Sequence, residues 1–166
     1  MQAFRFELDP NNRTRSALSS HCGAARFAYN FGLALVKSRL AERDRIRESA
    51  LTEGLSQREA DALAATVPVP WTLPALRREW NAAKEKVAPW WRQNREQAAN
   101  SGLLALASAL RAWSDSKTGR RKGRRIGFPV FKRRHGRRSC RFGTGALGVV
   151  DARHVVLPRI GLVRIR

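Results

Sequence analysis

The sequence predicts an α+β protein: a small, wedge-like β-barrel built from the two ends of the chain, with an α-helical bundle inserted between them. Three observations lead there. An alternating apolar stretch opens the chain, apolar residues recur at helical spacing through residues 11–115, and β-branched residues with Gly and Arg take over afterwards. The 166 residues, 43% of them hydrophobic and five of them Trp, suffice for one domain or two small ones with a buried core, and exclude a wholly disordered chain.

The stretch "AFRFELDP" puts Phe4, Phe6 and Leu8 on one face and Arg5 and Glu7 on the other, the period of a half-buried strand, and Asp9-Pro10 ends it. Asn11 or Asn12 then caps a short helix containing Ala17 and Leu18, which Gly23 breaks. A longer helix starts near Ala24, with Phe27, Phe31, Ala34 and Leu35 at helical spacing. Its second half, "KSRLAERDRIRE", is mostly charged and is expected to project into solvent or along an anion.

Ser56 and Glu59 form a capping box for another short helix that must stop before Pro68, and "VPVPW" makes a rigid, extended connector. Thr72 caps the next helix, where Leu76, Trp80 and Ala83 share a stripe and Pro89, Trp90 and Trp91 mark the end. The last helix runs from about Arg95 to Trp113, with Leu103, Leu106, Leu110 and Trp113 on one face. Beyond it, "HVVLP" and "LVRIR" read as strands joined by a tight turn at "RIG", and residues 4–8 are expected to pair with them. The organisation is then a first barrel strand (1–10), a helical lobe (11–115), a basic connector (116–138) and the remaining strands (139–166), without internal repeats.

Charge bounds the partner. Between Lys117 and Arg141 stand 12 basic residues and no acid; the rest of the chain carries 21 basic against 13 acidic residues, so both parts contribute to the net +20. A pI near 11.8 points to a polyanion, through release of the counterions condensed on its phosphates. Cys22 and Cys140, far apart and without a CxxC spacing, give no disulfide framework and fit a reducing cytosol. The opening residues do not read as a signal peptide, and "LLALASAL" is too short to span a bilayer, so the expected location is cytoplasmic, at the nucleoid when bound.

A catalytic centre is not legible. The acids are scattered along charged helix faces, and His21, His135 and His154 have no metal-ligand spacing. "SDSK" and "KTG" match serine-acylase motifs only by sharing Lys117, which cannot fill both roles. "SSHCGAARFAYNFGL" can be read as a helix-turn-helix centred on Gly23, but Phe27, Tyr29 and Phe31 suit a core better than a DNA groove. Among the tryptophans, Trp80 and Trp113 have core neighbours, while Trp90 and Trp91, between Pro89 and Arg92, are the candidates for stacking on a partner.

Several landmarks then coincide in order: "FRFELDP"; "GAARFAYNFGLA" with Arg26 and Asn30; the "PW" segments ahead of the helix ending at Trp113; "GFPVFKRR"; "SCRF"; and "LPRIGLVRI". Together they resemble the N-terminal part of the TnpB/OrfB family of transposon-encoded, RNA-guided DNA endonucleases, relatives of the single-effector CRISPR nucleases. The resemblance implies a wedge-like barrel and a recognition lobe that hold guide RNA, RNA–DNA heteroduplex and the DNA beside the target. It places cleavage, with its divalent metal, in a RuvC-like domain that this chain lacks, so no cofactor is expected here and the barrel is expected to be incomplete. Neither a membrane nor a small-molecule substrate is expected as partner.

The residues assigned to nucleic acid are Arg26, Asn30, Trp90, Trp91, Arg120, Arg121, Lys122, Arg124, Arg125, Lys132, Arg133, Arg134, Arg137 and Arg138. Within the basic connector, Phe128 and Phe131 are expected to pack, Pro129 to fix the backbone and Gly127 to permit a tight approach, leaving the Arg clusters on either side to face phosphate. Arg26 and Asn30, one helical turn apart, either contact nucleic acid, orient a neighbouring loop, or form a polar pair that fixes helix packing. Two other readings are a nuclease-free, RNA-guided regulator and an unrelated basic protein that binds structured RNA.

Overall fold

The computed structural model describes residues 5–94, 96–142 and 148–166. Phe4 and Arg95, expected in the first strand and the last helix, lie outside the described residues.

Helix α1 runs unbroken over Asn12–Thr52. Asn11 caps it, its side chain accepting a hydrogen bond from the Thr14 N–H at 2.9 Å. The break expected at Gly23 is absent, and α1 is continuous through residues 19–33. A helical glycine costs only about 1 kcal/mol relative to alanine. Here Ala24, Ala25 and Ala28 follow it into the interior, and their packing outweighs that cost.

Helix α2, Gln57–Ala65, opens with both halves of the Ser56/Glu59 capping box and folds back on the charged half of α1. That half therefore does not project freely, as the sequence suggested. Ala50, Ala60 and Ala64 are buried, Arg47 Nε reaches Asp61 Oδ1 at 2.6 Å, and Arg43 donates to the carbonyls of Val67 (2.8 Å) and Ala65 (3.3 Å). The Arg43 guanidinium thus serves the carbonyl end of α2, where a cation is favoured.

Helix α3, Leu73–Val87, starts at the Thr72 cap; a 3₁₀ turn at Pro89–Gln93 leads to α4, Glu96–Lys117. Leu33, Val36, Leu76, Trp80, Leu103, Leu106 and Leu110 form the core between α1, α3 and α4. The main helix contact is α1 on α4, and Gly102 makes it possible: a Cβ there would lie 1.9 Å from the Ala25 carbonyl oxygen.

Among the described residues there are four strands: β1 (Leu8–Asp9), β2 (Gly148–Asp151), β3 (His154–Leu157) and β4 (Gly161–Ile165). They form an antiparallel sheet in the order β1-β4-β3-β2. The start of the chain does pair with its last strand, Leu8 opposite Ile165, as expected. Among the described residues a closed barrel is not formed. Closure needs every strand paired on both sides, whereas β1 offers two residues to β4 alone and β2 lies at the opposite edge. At the β3–β4 turn Arg159 (φ 62°) and Gly161 (φ 92°) take left-handed conformations. Arg159 ties this turn to the helices by donating to the carbonyls of Arg92 (2.9 Å) and Asn94 (3.3 Å). No helix among the described residues is long and apolar enough to cross a membrane.

Candidate nucleic-acid interface

The basic segment leaves α4 and returns along the bundle to α1. Its folded centre is anchored at two points. Near the first, the Ile126 N–H donates to Ser116 Oγ (3.0 Å), Phe128 sets its ring edge-on against Trp113 with centroids 5.0 Å apart, and Pro129 is buried. Trp113 in turn stacks on Trp71 at 6.1 Å. Phe131 does not pack as expected: it is 47% exposed, with Lys37 Nζ 4.9 Å above its ring. Nor does Gly127 permit a close approach, since the space a Cβ would take is open.

The second anchor is Asn30. Its amide donates from Nδ2 to the Lys132 carbonyl (3.0 Å) and accepts at Oδ1 from the Lys132 N–H (2.8 Å). Of the readings held open for this residue, orientation of a neighbouring loop is the one its geometry displays. Lys132 then lays its ammonium 4.4 Å over the Tyr29 ring, and partial burial lowers its pKa.

Past this anchor the loop and helix α1 enclose a recess of about 260 Å³. One wall is Ser19, Cys22, Gly23 and Arg26, a single face of α1; the other comprises Lys132, Arg133, Arg134, Gly136, Arg137, Arg138 and Ser139. Gly23, with nothing within 4 Å of its absent Cβ, leaves room in that face. Arg138 Nη1 donates to Ser19 Oγ at 3.2 Å. Among the described residues no carboxylate lies within 4.0 Å of the cationic groups of Arg26, Arg133, Arg134 or Arg137, although Arg39, Arg47 and Arg92 elsewhere each have an acidic partner. Cations gathered without counter-charges repel one another, and an anion seated among them relieves that repulsion.

The other predicted residues are not brought to this recess. Arg120, Arg121, Lys122, Arg124 and Arg125 are exposed beyond the end of α4, where Arg120 pairs with Asp115 at 3.2 Å. Arg125 lines a separate depression with Trp113, Ser116, Lys117 and Ile126. Trp90 and Trp91 are half-buried against the core: Trp90 meets Phe27 edge-on at 5.3 Å, and Trp91 lies under Lys84 Nζ at 4.0 Å.

One feature had no sequence signal: Cys22 and Cys140 come together with their sulfurs 3.6 Å apart. Among the described residues no three His, Cys, Asp or Glu side chains are grouped so as to hold a metal ion.

An α+β chain whose N-terminal helix forms one wall of an arginine-lined recess is the class that fold and site define. Residues 1–45 match the OrfB/IS605 family described as a helix-turn-helix domain, which bears out the resemblance to TnpB/OrfB proteins. In this chain the helical part of that region, from Asn12 on, is continuous. Two Mycobacterium tuberculosis proteins, from different strains and each named "Putative RNA-guided DNA endonuclease", are 32% identical to the chain over 174 aligned residues. The match takes in 99% of this chain and 34% of each relative, so the chain spans about a third of the length of the curated relatives it matches.

Proposed function

We propose that this chain is the nucleic-acid-binding portion of a transposon-associated, RNA-guided DNA endonuclease, holding guide RNA and the adjoining DNA through their phosphates. The observation that carries this reading is the recess of Arg26, Lys132, Arg133, Arg134, Arg137 and Arg138, fixed to α1 by Asn30 and with no ion-paired carboxylate among the described residues. The naming of the relatives supports it. Planar guanidinium groups match phosphate oxygens two at a time and stay charged at any working pH. Such contacts position a duplex through backbone and shape, while base pairing with the guide carries sequence.

In this reading residues 11–115 are the recognition lobe, 116–138 the connector, and strands β1–β4 the sheet that would contact the rest of the nuclease. The exposed residues Arg120, Arg121, Lys122, Arg124 and Arg125 extend the phosphate track beyond α4, and Trp90 and Trp91 serve it indirectly, by holding the 3₁₀ turn. Cleavage and its divalent metal are assigned in this reading to a RuvC-like domain, as in the family the chain resembles.

The test is equilibrium binding of a labelled RNA hairpin, an RNA–DNA heteroduplex and a DNA duplex across a salt series. Replacing Arg133, Arg134, Arg137 and Arg138 by Ala should weaken all three and reduce the slope of log affinity against log salt by about 0.7–0.9 for each phosphate left without its cation. An unchanged slope would show that the recess does not meet phosphate. Sequencing the RNA that purifies with the protein from its own host tests the guide: one dominant species encoded beside the gene is expected, and a random mixture would count against it.

A further inference from the structure

Cys22 and Cys140, 118 residues apart in the chain, stand as free thiols with Sγ atoms 3.6 Å apart. Cys22 lies within the first third of the long helix α1, whereas Cys140 lies on residues 139–142, which have no regular secondary structure. Disulfide sulfurs are about 2.05 Å apart, so joining the pair takes roughly 1.5 Å of approach, which the irregular side can supply.

The two thiols are electrostatically unlike. The neighbouring Cys140 side chain and the Arg138 guanidinium lower the pKa of Cys22 against the opposing effect of burial. The contact with Cys22 and burial raise the pKa of Cys140. Cys22, on the wall of the arginine recess and beside Arg138, is the nucleophile, and Cys140, which does not line that recess, is the second thiol, which attacks once Cys22 has been capped. Cys22 also lines the arginine recess, so a small anion drawn there reaches its sulfur.

We propose that Cys22 and Cys140 form a reversible dithiol–disulfide site that is oxidised, through the arginine recess, by an anionic low-molecular-weight disulfide of the glutathione class. The Cys22 thiolate attacks one sulfur of the small disulfide, whose S–S bond breaks and releases one thiolate. Cys140, giving its proton to solvent, then attacks Cys22 Sγ and expels the second thiolate. Two cysteine thiols become one disulfide, one small disulfide becomes two thiols, and no other oxidant is required. The product fastens the end of the arginine loop to α1, fixing the shape of the recess; reduction releases it.

The test treats the full chain with oxidised glutathione at neutral pH, followed by acid quench, intact mass and non-reducing digestion. A Cys22–Cys140 cross-linked peptide should form, retain no glutathione, revert with dithiothreitol and raise the melting midpoint by about 5–10 °C. Cys140→Ser should trap glutathione on Cys22, and Cys22→Ser should react at least about tenfold more slowly, as expected for a thiol without the lowered pKa. The uncharged oxidant 2-hydroxyethyl disulfide should react more slowly than glutathione disulfide with the native protein, and Arg133→Ala with Arg134→Ala should narrow that gap. Circular dichroism establishes that each variant is folded. Equal reactivity of the two single variants, or stable mixed disulfide on the native protein without a cross-link, would overturn the proposal. No nucleic acid enters the experiment, so its outcome is independent of the binding role.

Discussion

Asn30 holds Lys132 from both sides of its peptide group, donating to its carbonyl at 3.0 Å and accepting from its N–H at 2.8 Å, across 102 residues of sequence. An amide side chain alone offers a donor and an acceptor in this parallel arrangement. Asn30→Ala leaves both backbone groups of a half-buried residue to find other partners, at a cost of about 1–3 kcal/mol. Asn30→Asp keeps the acceptor and places a carboxylate against the Lys132 carbonyl, so it should not restore the anchor. Hydrogen exchange should show residues 131–139 losing protection in both variants while the α4 core amides keep theirs. Unchanged exchange in this loop would mean the anchor is redundant.

The two phenylalanines of "GFPVFK" should separate cleanly in a melting experiment. Phe128 has its edge on Trp113, so Phe128→Ala is expected to cost about 2 kcal/mol, less than a fully buried ring would. Phe131, half exposed, should change stability by no more than about 0.5 kcal/mol. Equal losses would mean that Phe131 is covered in solution.

Two glycines should respond to the same substitution with opposite signs. Gly23→Ala meets nothing within 4 Å and improves helix propensity, so it should stabilise by about 0.5–1 kcal/mol. Gly102→Ala drives a methyl group into the Ala25 carbonyl and should cost about 3 kcal/mol or more by forcing α1 and α4 apart. Destabilisation by Gly23→Ala would restore the turn that the sequence suggested there.

These pairs also show what the sequence can and cannot express. The caps at Asn11, Ser56 and Thr72 were legible because a capping side chain acts within three residues. The stripe of Leu103, Leu106 and Leu110 was legible because burial repeats with the helix. Gly23 was misread because local propensity argues for a break, while the packing that overrides it comes from α4. The alternation at Phe6 and Leu8 reveals an apolar face but not what covers it, and both remain substantially exposed. The density of arginine announced a polyanion; which arginines share a recess depended on Asn30 folding residue 132 back onto α1, a contact no local pattern encodes.

Acid should loosen α2 from α1 before the core yields. The Ser56 hydroxyl and N–H hold the Glu59 carboxyl below its ordinary range, and Arg47 with Gln57 does the same for Asp61. A carboxyl whose pKa is depressed in the folded protein adds stability above its unfolded value and loses it as pH falls through the folded one, so the effect appears below about pH 4. Both carboxyls are exposed, which keeps the change small and sensitive to salt. Protection factors for the Ala60 and Ala64 amides should therefore fall as pH drops below about 4 while those of Leu103 and Leu106 hold, given that the depressed carboxyls titrate below their unfolded values. Asp61→Asn with Glu59→Gln should flatten that dependence by removing the titrating groups. If α2 and α4 lose protection together across this range, the capping box and the Arg47–Asp61 pair are not what holds α2 in place.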